Sequence, residues 1–232
     1  MFGSNGAIVN QMRRFRLTGP RRLSRLLAAT LFPPRCCLCG FPGASLDLDL
    51  CCFCRVDLPW AEATGAHLVA LRYEHPVDEM IRRLKYHGAI AHARVLGVLL
   101  AQCALQRGAV LPKLLVPVPL HPARLRERGF NQAAALARYA GRMLDIPYAR
   151  YAVRRTRNTP SQTSLDMGER RRNVHGAFAL GGARHLRRLL DAGHVAIVDD
   201  VMTTGSTVEE LRGVLLAAGL SRVDVWAVAR AP

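Results

Sequence analysis

The stretch His194–Thr207, HVAIVDDVMTTGST, decides how this chain is read. Val195 to Val198 form an unbroken apolar run, the pattern of a strand buried on both faces of a parallel sheet. The run ends in two adjacent acids, Asp199 and Asp200, in a chain whose formal net charge is +16. Thr203, Thr204, Gly205, Ser206 and Thr207 follow, and a helical pattern begins at Val208. Hydroxyls and a glycine at a helix start turn backbone N–H groups toward an anion, and Gly205 permits close approach. Two carboxylates beside that cradle would repel a bare phosphate. They suit the hydroxyls of a sugar whose 5′-phosphate fills the cradle, with a divalent cation on the sugar's other side.

The flanking segments alternate between the same two periodicities. HPVDEMIRRLKYHG (His75–Gly88) predicts a helix with Pro76 in its first turn, Val77, Met80, Ile81 and Leu84 on one face, and Gly88 as its stop. AHARVLGVLLAQCALQ (Ala91–Gln106) predicts a more apolar helix, with Cys103 in the core. KLLVPVPL (Lys113–Leu120) is a short buried strand with Pro117 and Pro119 near its end. HPARLRERGFNQ leads into a helix over Gln132–Leu144, and ARYAVRR (Ala149–Arg155) reads as a strand. A polar loop runs from Thr156 to Asn173. Beyond the central stretch, VEELRGVLLAAG predicts a helix with Leu211, Val214, Leu215 and Ala218 inward and Gly219 at its end. RVDVWAVA (Arg222–Ala229) closes the chain as a strand. This order is that of an α/β fold, a Rossmann-like parallel sheet with flanking helices, in which ligands bind at the carboxyl ends of strands.

At 232 residues, half of them apolar, the chain has ample material for a core and a small appendage. No apolar run approaches the ~20 residues of a membrane helix, so the expectation is a soluble, cytoplasmic protein without a membrane span. Residues 1–30, with Arg13, Arg14, Arg16, Arg21, Arg22 and Arg25, read as a basic tail and short helix rather than a secretory signal, and Met12 is an alternative start. Of the 33 basic residues only Lys85 and Lys113 are lysines. So strong an arginine bias reflects genome composition as well as any polyanionic partner.

Six of the seven cysteines fall within Cys36–Cys54. Cys36, Cys39, Cys51 and Cys54 make two C-x2-C pairs, and two such turns complete a tetrahedral Zn²⁺ shell. Cys37 and Cys52 would give the poorer C-x-C spacing. Disulfides compete with this reading but need an oxidising compartment that nothing else in the sequence supports. Four thiolates leave no open position for water, so the zinc is expected to be structural. The expected boundaries are a tail over 1–30, a zinc-ribbon-like element over 31–62, and the α/β domain over 63–232.

IVDDVMTTGST resembles the phosphoribosyl-pyrophosphate (PRPP) signature of type I phosphoribosyltransferases. With LFPPRCCLCG, LKYHG, VPVPLHPARLRERGFNQ and RRTRNTPSQTSLDMGERRRNVHGAF, in that order over roughly residues 31–230, the chain resembles the ComF (GntX-like) competence proteins. These join a four-cysteine zinc element to a phosphoribosyltransferase-like domain. The resemblance implies that Asp199 and Asp200 hold ribose hydroxyls and act in catalysis. Thr203, Thr204, Gly205, Ser206 and Thr207 would hold the 5′-phosphate of PRPP or a ribose 5-phosphate nucleotide, with Mg²⁺ accompanying PRPP. It implies a pyrophosphate loop containing Arg124, Arg128, Gly129 and Asn131. A mobile lid would carry Arg155, Arg157, Thr159, Gln162, Arg170 and Asn173, and Lys85 falls within a motif of its own.

Two functions follow from this resemblance. One is phosphoribosyl transfer in DNA uptake, natural transformation or the use of imported DNA, although no residues stand out as a nucleobase site. The other is a non-catalytic accessory role, binding single-stranded DNA or docking DNA-uptake proteins. A content of 6% aromatic residues offers that role no obvious stacking platform.

Overall fold

The computed structural model describes residues 35–43, 48–63, 66–158 and 174–231. The chain divides into two compact units, Met1–Val56 and Asp57–Pro232. In the first, an antiparallel bridge from Arg35 to Pro42 closes a tight turn through Gly40 at φ 75°. The Cys37 amide donates to the carbonyl of Asp49, tying the first cysteine turn to the second, which leads into the short helix α1 (Cys52–Val56).

The second unit is built on four parallel strands in the order β1 (Leu68–Arg72), β6 (Arg222–Arg230), β5 (His194–Met202), β2 (Leu114–Pro117). The nine-residue β5 lies between β6 and β2 and is buried along nearly its whole length, which is why it reads as a continuous apolar run. Between β1 and β2 come α2 (Val77–His87) and α3 (Ile90–Gln106). α2 buries Val77, Met80, Ile81 and Leu84, as its periodicity predicts, and stops at Gly88 in the left-handed region. α3 is apolar on most of its circumference and packs against α5 (Gln132–Leu144). The two helices meet so closely at Gly97 that a Cβ there would stand 2.8 Å from the Leu136 carbonyl oxygen and 2.9 Å from the Tyr139 Cβ.

A core cluster joins Leu114 and Val116 of β2, Val195 and Ile197 of β5 and Val223 and Val225 of β6 to Val208, Leu211 and Leu215 of α7 (Ser206–Ala217). Val214 and Ala218 pack at its margin, so the inward face expected for this helix is present.

The structure departs from the sequence reading in four places. Val153–Arg155 (β3) does not join the parallel sheet. It pairs antiparallel with β4 (Phe178–Leu180) in a separate two-stranded sheet whose Val153 and Phe178 enter the same core cluster. β1 and helix α6 (Ala183–Ala192) have no counterpart in the sequence reading. β1 is five residues long, and α6 buries only Leu189 fully and is otherwise strongly basic, so neither gives a marked core pattern. Finally, the segment after β2 folds as a short helix, α4 (Pro122–Arg128), with Pro122 at its start and Gly129 as its left-handed cap.

Candidate functional site

The parallel strands bring their carboxyl ends to one edge of the sheet, and near the end of β5 stand Asp199 and Asp200, 9% and 4% exposed. The Asp200 amide donates to Asp199 Oδ1 at 2.9 Å. Lys85, reaching from the last turn of α2, places its Nζ 2.6 Å from Asp200 Oδ2, with 21% of its side chain exposed. Burial pushes the Asp199 carboxyl well above the usual range, and the charge of Asp200 and a hydrogen bond between the two side chains push the same way. Burial acts upward on Asp200 too, but the charge and hydrogen bond of Lys85 outweigh it and hold that carboxyl below its ordinary value. Burial also opposes the Lys85 ammonium, yet the neighbouring acids raise its pKa. The pair is therefore divided: Lys85 favours the ionised form of Asp200, and burial beside that charge favours the protonated form of Asp199.

Five residues after Asp200, Gly205 adopts φ 78° and opens α7. Thr204 Oγ1 and Ser206 Oγ lie 2.7 Å apart, and the Ser206 amide donates to Thr204 Oγ1 at 3.4 Å. The first turn of a helix leaves its amides without intrahelical acceptors, and the macrodipole favours negative charge there. Thr203 is exposed, while Thr204 to Thr207 are half-buried, so the cradle opens to solvent beside buried carboxylates.

The proposed pyrophosphate residues separate on folding. Arg124 and Arg155, the latter expected in a lid, lie near enough that burial, Arg124 and Asp199 all act on the Arg155 guanidinium, the first two lowering its pKa and Asp199 raising it. Arg155 also stacks its guanidinium 5.6 Å from the Phe178 ring centre. Arg128 instead lies over Tyr86, 5.4 Å from its centre, beside Lys85 in sequence. The Gly129 amide is engaged as a helix cap on the Leu125 carbonyl. Asn131 is buried with both side-chain atoms in use: Nδ2 donates to the Val118 carbonyl at 2.9 Å and Oδ1 accepts from the Ala134 amide at 3.2 Å. It caps α5 and fixes the chain after β2.

Arg157 is exposed and donates to the His175 carbonyl at 2.7 Å. Thr159, Gln162, Arg170 and Asn173 lie outside the described residues. Where the chain returns, Glu210 of α7 accepts from the Gly176 amide at 2.8 Å and approaches His175. Sequence reasoning did not find Tyr86 or Glu210; Tyr86 sits inside LKYHG and was within reach, whereas nothing in the sequence marks Glu210.

In the first unit the Sγ atoms of Cys36, Cys39, Cys51 and Cys54 all lie within 4.8 Å of one another, and Cys39 and Cys51 are 3.6 Å apart. A tetrahedral shell with Zn–S bonds of about 2.3 Å has sulfur–sulfur edges near 3.8 Å, so the donor set fits Zn²⁺. Burial works against the Cys36 thiolate, but the amides of Cys39, Cys51 and Leu38 bring its pKa down to about 6. Burial and neighbouring sulfurs push Cys54 up. The Cys36 thiolate thus forms readily, whereas Cys39 and Cys54, both raised, resist until a cation joins them. Cys37 and Cys52 stay outside the cluster. Cys103 is buried in α3, its Sγ 3.9 Å from the Val69 carbonyl oxygen, as a core residue.

The fold and site define a parallel α/β protein with an acid pair and a hydroxyl-rich helix start at the carboxyl edge of its sheet, joined to a four-cysteine unit. No protein-family model matches the chain. It is 35% identical over 166 residues to "Competence protein F" of Haemophilus influenzae, covering 68% of this chain and 70% of that protein. It is 33% identical over 199 residues to "DNA utilization protein YhgH" of Escherichia coli, covering 84% and 83%. "Competence protein ComFC" of Streptococcus pneumoniae is 24% identical over 166 residues, 71% of this chain and 68% of that protein. The chain belongs to the ComF family. Among the described residues no helix is long and apolar enough to cross a membrane.

Proposed function

We propose that this protein binds PRPP or a related ribose 5-phosphate at the end of β5 and acts in DNA uptake or in the use of imported DNA. The observation that carries the ligand reading is the buried acid pair followed at once by Thr203–Thr207, with Gly205 in the left-handed region at the start of α7. The DNA context rests on the names of the relatives, two of them competence proteins and one a DNA utilization protein. The phosphate would lie on the amides and hydroxyls of Thr203–Thr207 and the ribose hydroxyls against Asp199 and Asp200. Arg124 and Arg155 supply positive charge for a pyrophosphate. If transfer occurs, its main source of acceleration is stabilisation of that departing anion.

Mg²⁺ is the ion such a ligand brings. The acid pair does not suit its direct ligation, because Asp200 Oδ2 faces the Lys85 ammonium and Asp199 Oδ1 accepts a backbone N–H. The four-cysteine cluster would hold a structural Zn²⁺ in a cytoplasmic protein.

Calorimetric titration of PRPP into the wild type and an Asp199→Asn/Asp200→Asn variant tests the reading. Binding that is lost in the variant supports it, and a wild type that binds no PRPP refutes it. A second reading, single-stranded DNA on the arginine-rich surface, is favoured by the DNA utilization relative and the net charge of +16. It requires an affinity that falls steeply with salt.

A further inference from the structure

Lys85 takes no part in the contacts proposed for PRPP, yet it makes the closest charged contact of the site. Its helix is locked into the core by Val77, Met80, Ile81 and Leu84, and Gly88 ends it one turn further on. The ammonium is thus carried on a fixed element and stands 2.6 Å from Asp200 Oδ2. Arg82 and Arg83 of the same helix are exposed and pair with Glu79, so the helix presents its lysine, and not its arginines, to the acids. In a chain with two lysines among 33 basic residues, this position carries a compact point charge in place of a planar fork.

The carboxylate oxygens are already engaged within the protein: Lys85 meets Asp200 Oδ2, the Asp200 amide donates to Asp199 Oδ1, the two side chains share a hydrogen bond, and the Val201 backbone bonds Asp200. Arg155 is within electrostatic reach of Asp199, and Arg124 is within reach of Arg155. Two acids thus stand among three protein cations, and the balance favours an anionic ligand before any metal arrives. A divalent ion ligated by the acids would need octahedral oxygens at about 2.0–2.1 Å, in competition with an ammonium.

We propose that Lys85 is a tethered counter-cation of the acid pair and that a ribose 5-phosphate binds there without a divalent ion ligated by Asp199 or Asp200. This rests on the ribose-phosphate reading of the site. Lys85 is a positioning residue: it holds Asp200 ionised and oriented for the sugar hydroxyls.

The test is calorimetric titration of ribose 5-phosphate into the full, zinc-loaded chain, in Mg²⁺-free buffer without chelator and again with Mg²⁺ added. Wild type, Lys85→Met and Lys85→Arg are compared, PRPP serves as a second ligand, and Mn²⁺ alone is titrated into each protein by electron paramagnetic resonance. Wild-type affinity for ribose 5-phosphate is expected to change less than about twofold with Mg²⁺. Loss of a charged hydrogen-bond partner should weaken Lys85→Met about 10-fold or more without Mg²⁺. Mg²⁺ should restore part of that loss, Lys85→Arg should retain more than Lys85→Met, and Mn²⁺ should bind Lys85→Met more tightly than wild type.

Wild-type binding that requires Mg²⁺, or tight Mn²⁺ binding by wild type alone, overturns the inference and leaves the ribose-phosphate reading intact; neither measurement depends on a variant folding. Equal Mg²⁺-free binding by Lys85→Met and wild type does the same. A wild type that binds neither ribose 5-phosphate nor PRPP, with or without Mg²⁺, overturns both.

Discussion

Replacing Lys85 by Met keeps the length of the side chain and removes the charge that faces Asp200. The Asp200 carboxylate, 4% exposed, then has no cation at 2.6 Å and little access to solvent. Breaking a buried pair in this way costs about 3–5 kcal/mol. The partial exposure of Lys85 places the effect near the lower end. At roughly 2–4 °C per kcal/mol for a domain of this size, the midpoint of thermal unfolding should fall by at least about 6 °C. Asp200→Asn leaves an ammonium that still reaches solvent and should cost less, about 1–3 kcal/mol.

The double variant should be less destabilised than the sum of the two single ones, because neither charge is left alone. The sign with pH follows from the shifts. Asp200 is held below its unfolded value, so its contribution is present above about pH 4 and disappears as pH falls through the folded pKa. Lys85 is raised, so its contribution is present below about pH 10.4 and disappears as pH rises through the folded pKa. Urea unfolding of the four proteins of the cycle, at neutral pH and near pH 3, measures this. Effects that add to within about 0.5 kcal/mol at neutral pH would refute the coupling.

Three further outcomes are expected. Asp199→Asn should stabilise the protein at neutral pH, since the native carboxyl retains its proton above the unfolded value; the gain should grow as pH rises above about 4 and be absent below it, as read by unfolding midpoints. The purified chain should carry one zinc per molecule by elemental analysis. Stripping the zinc should expose the cysteine unit to proteolysis, because structural zinc supplies about 10–16 kcal/mol of binding free energy. Gly97→Ala should cost about 1–3 kcal/mol by overpacking the α3–α5 crossing, and a change within about 0.5 kcal/mol in chemical denaturation would show that the helices can separate freely there.

Much of the scaffold is legible in the amino-acid order. Helices α2, α3, α5 and α7 follow from apolar spacing, with glycine stops for α2 and α7, and β5 from an apolar run too short for a buried helix. The two C-x2-C turns are legible because a knuckle is a local geometry, and the folded chain brings those four sulfurs together. Harder to see are α4, whose seven residues bury no side chain, and α6, whose arginines mask a single buried leucine. Asn131 resembles a ligand residue in its motif, but its side chain closes hydrogen bonds to Val118 and Ala134. Cap and ligand roles draw on the same residue types, and a sequence does not record which acceptor the folded backbone offers.

The amino-acid order by itself determined the strand that ends in Asp199 and Asp200, the glycine-led helix start after it, and the four-cysteine cluster. Each is set by neighbours within a few turns of chain, where periodicity, propensity and short-range geometry dominate. Tertiary structure alone decided that β3 leaves the sheet to pair antiparallel with β4. It also decided that Arg155 lies within electrostatic reach of both Asp199 and Arg124, and that Lys85 meets Asp200 from a helix far earlier in the chain. The Lys85–Asp200 contact exists because burying the apolar face of α2 and the apolar run of β5 carries their charged ends together, and the Lys85 ammonium, set against a burial that raises both carboxyls, separates the protonation of two adjacent, identical groups.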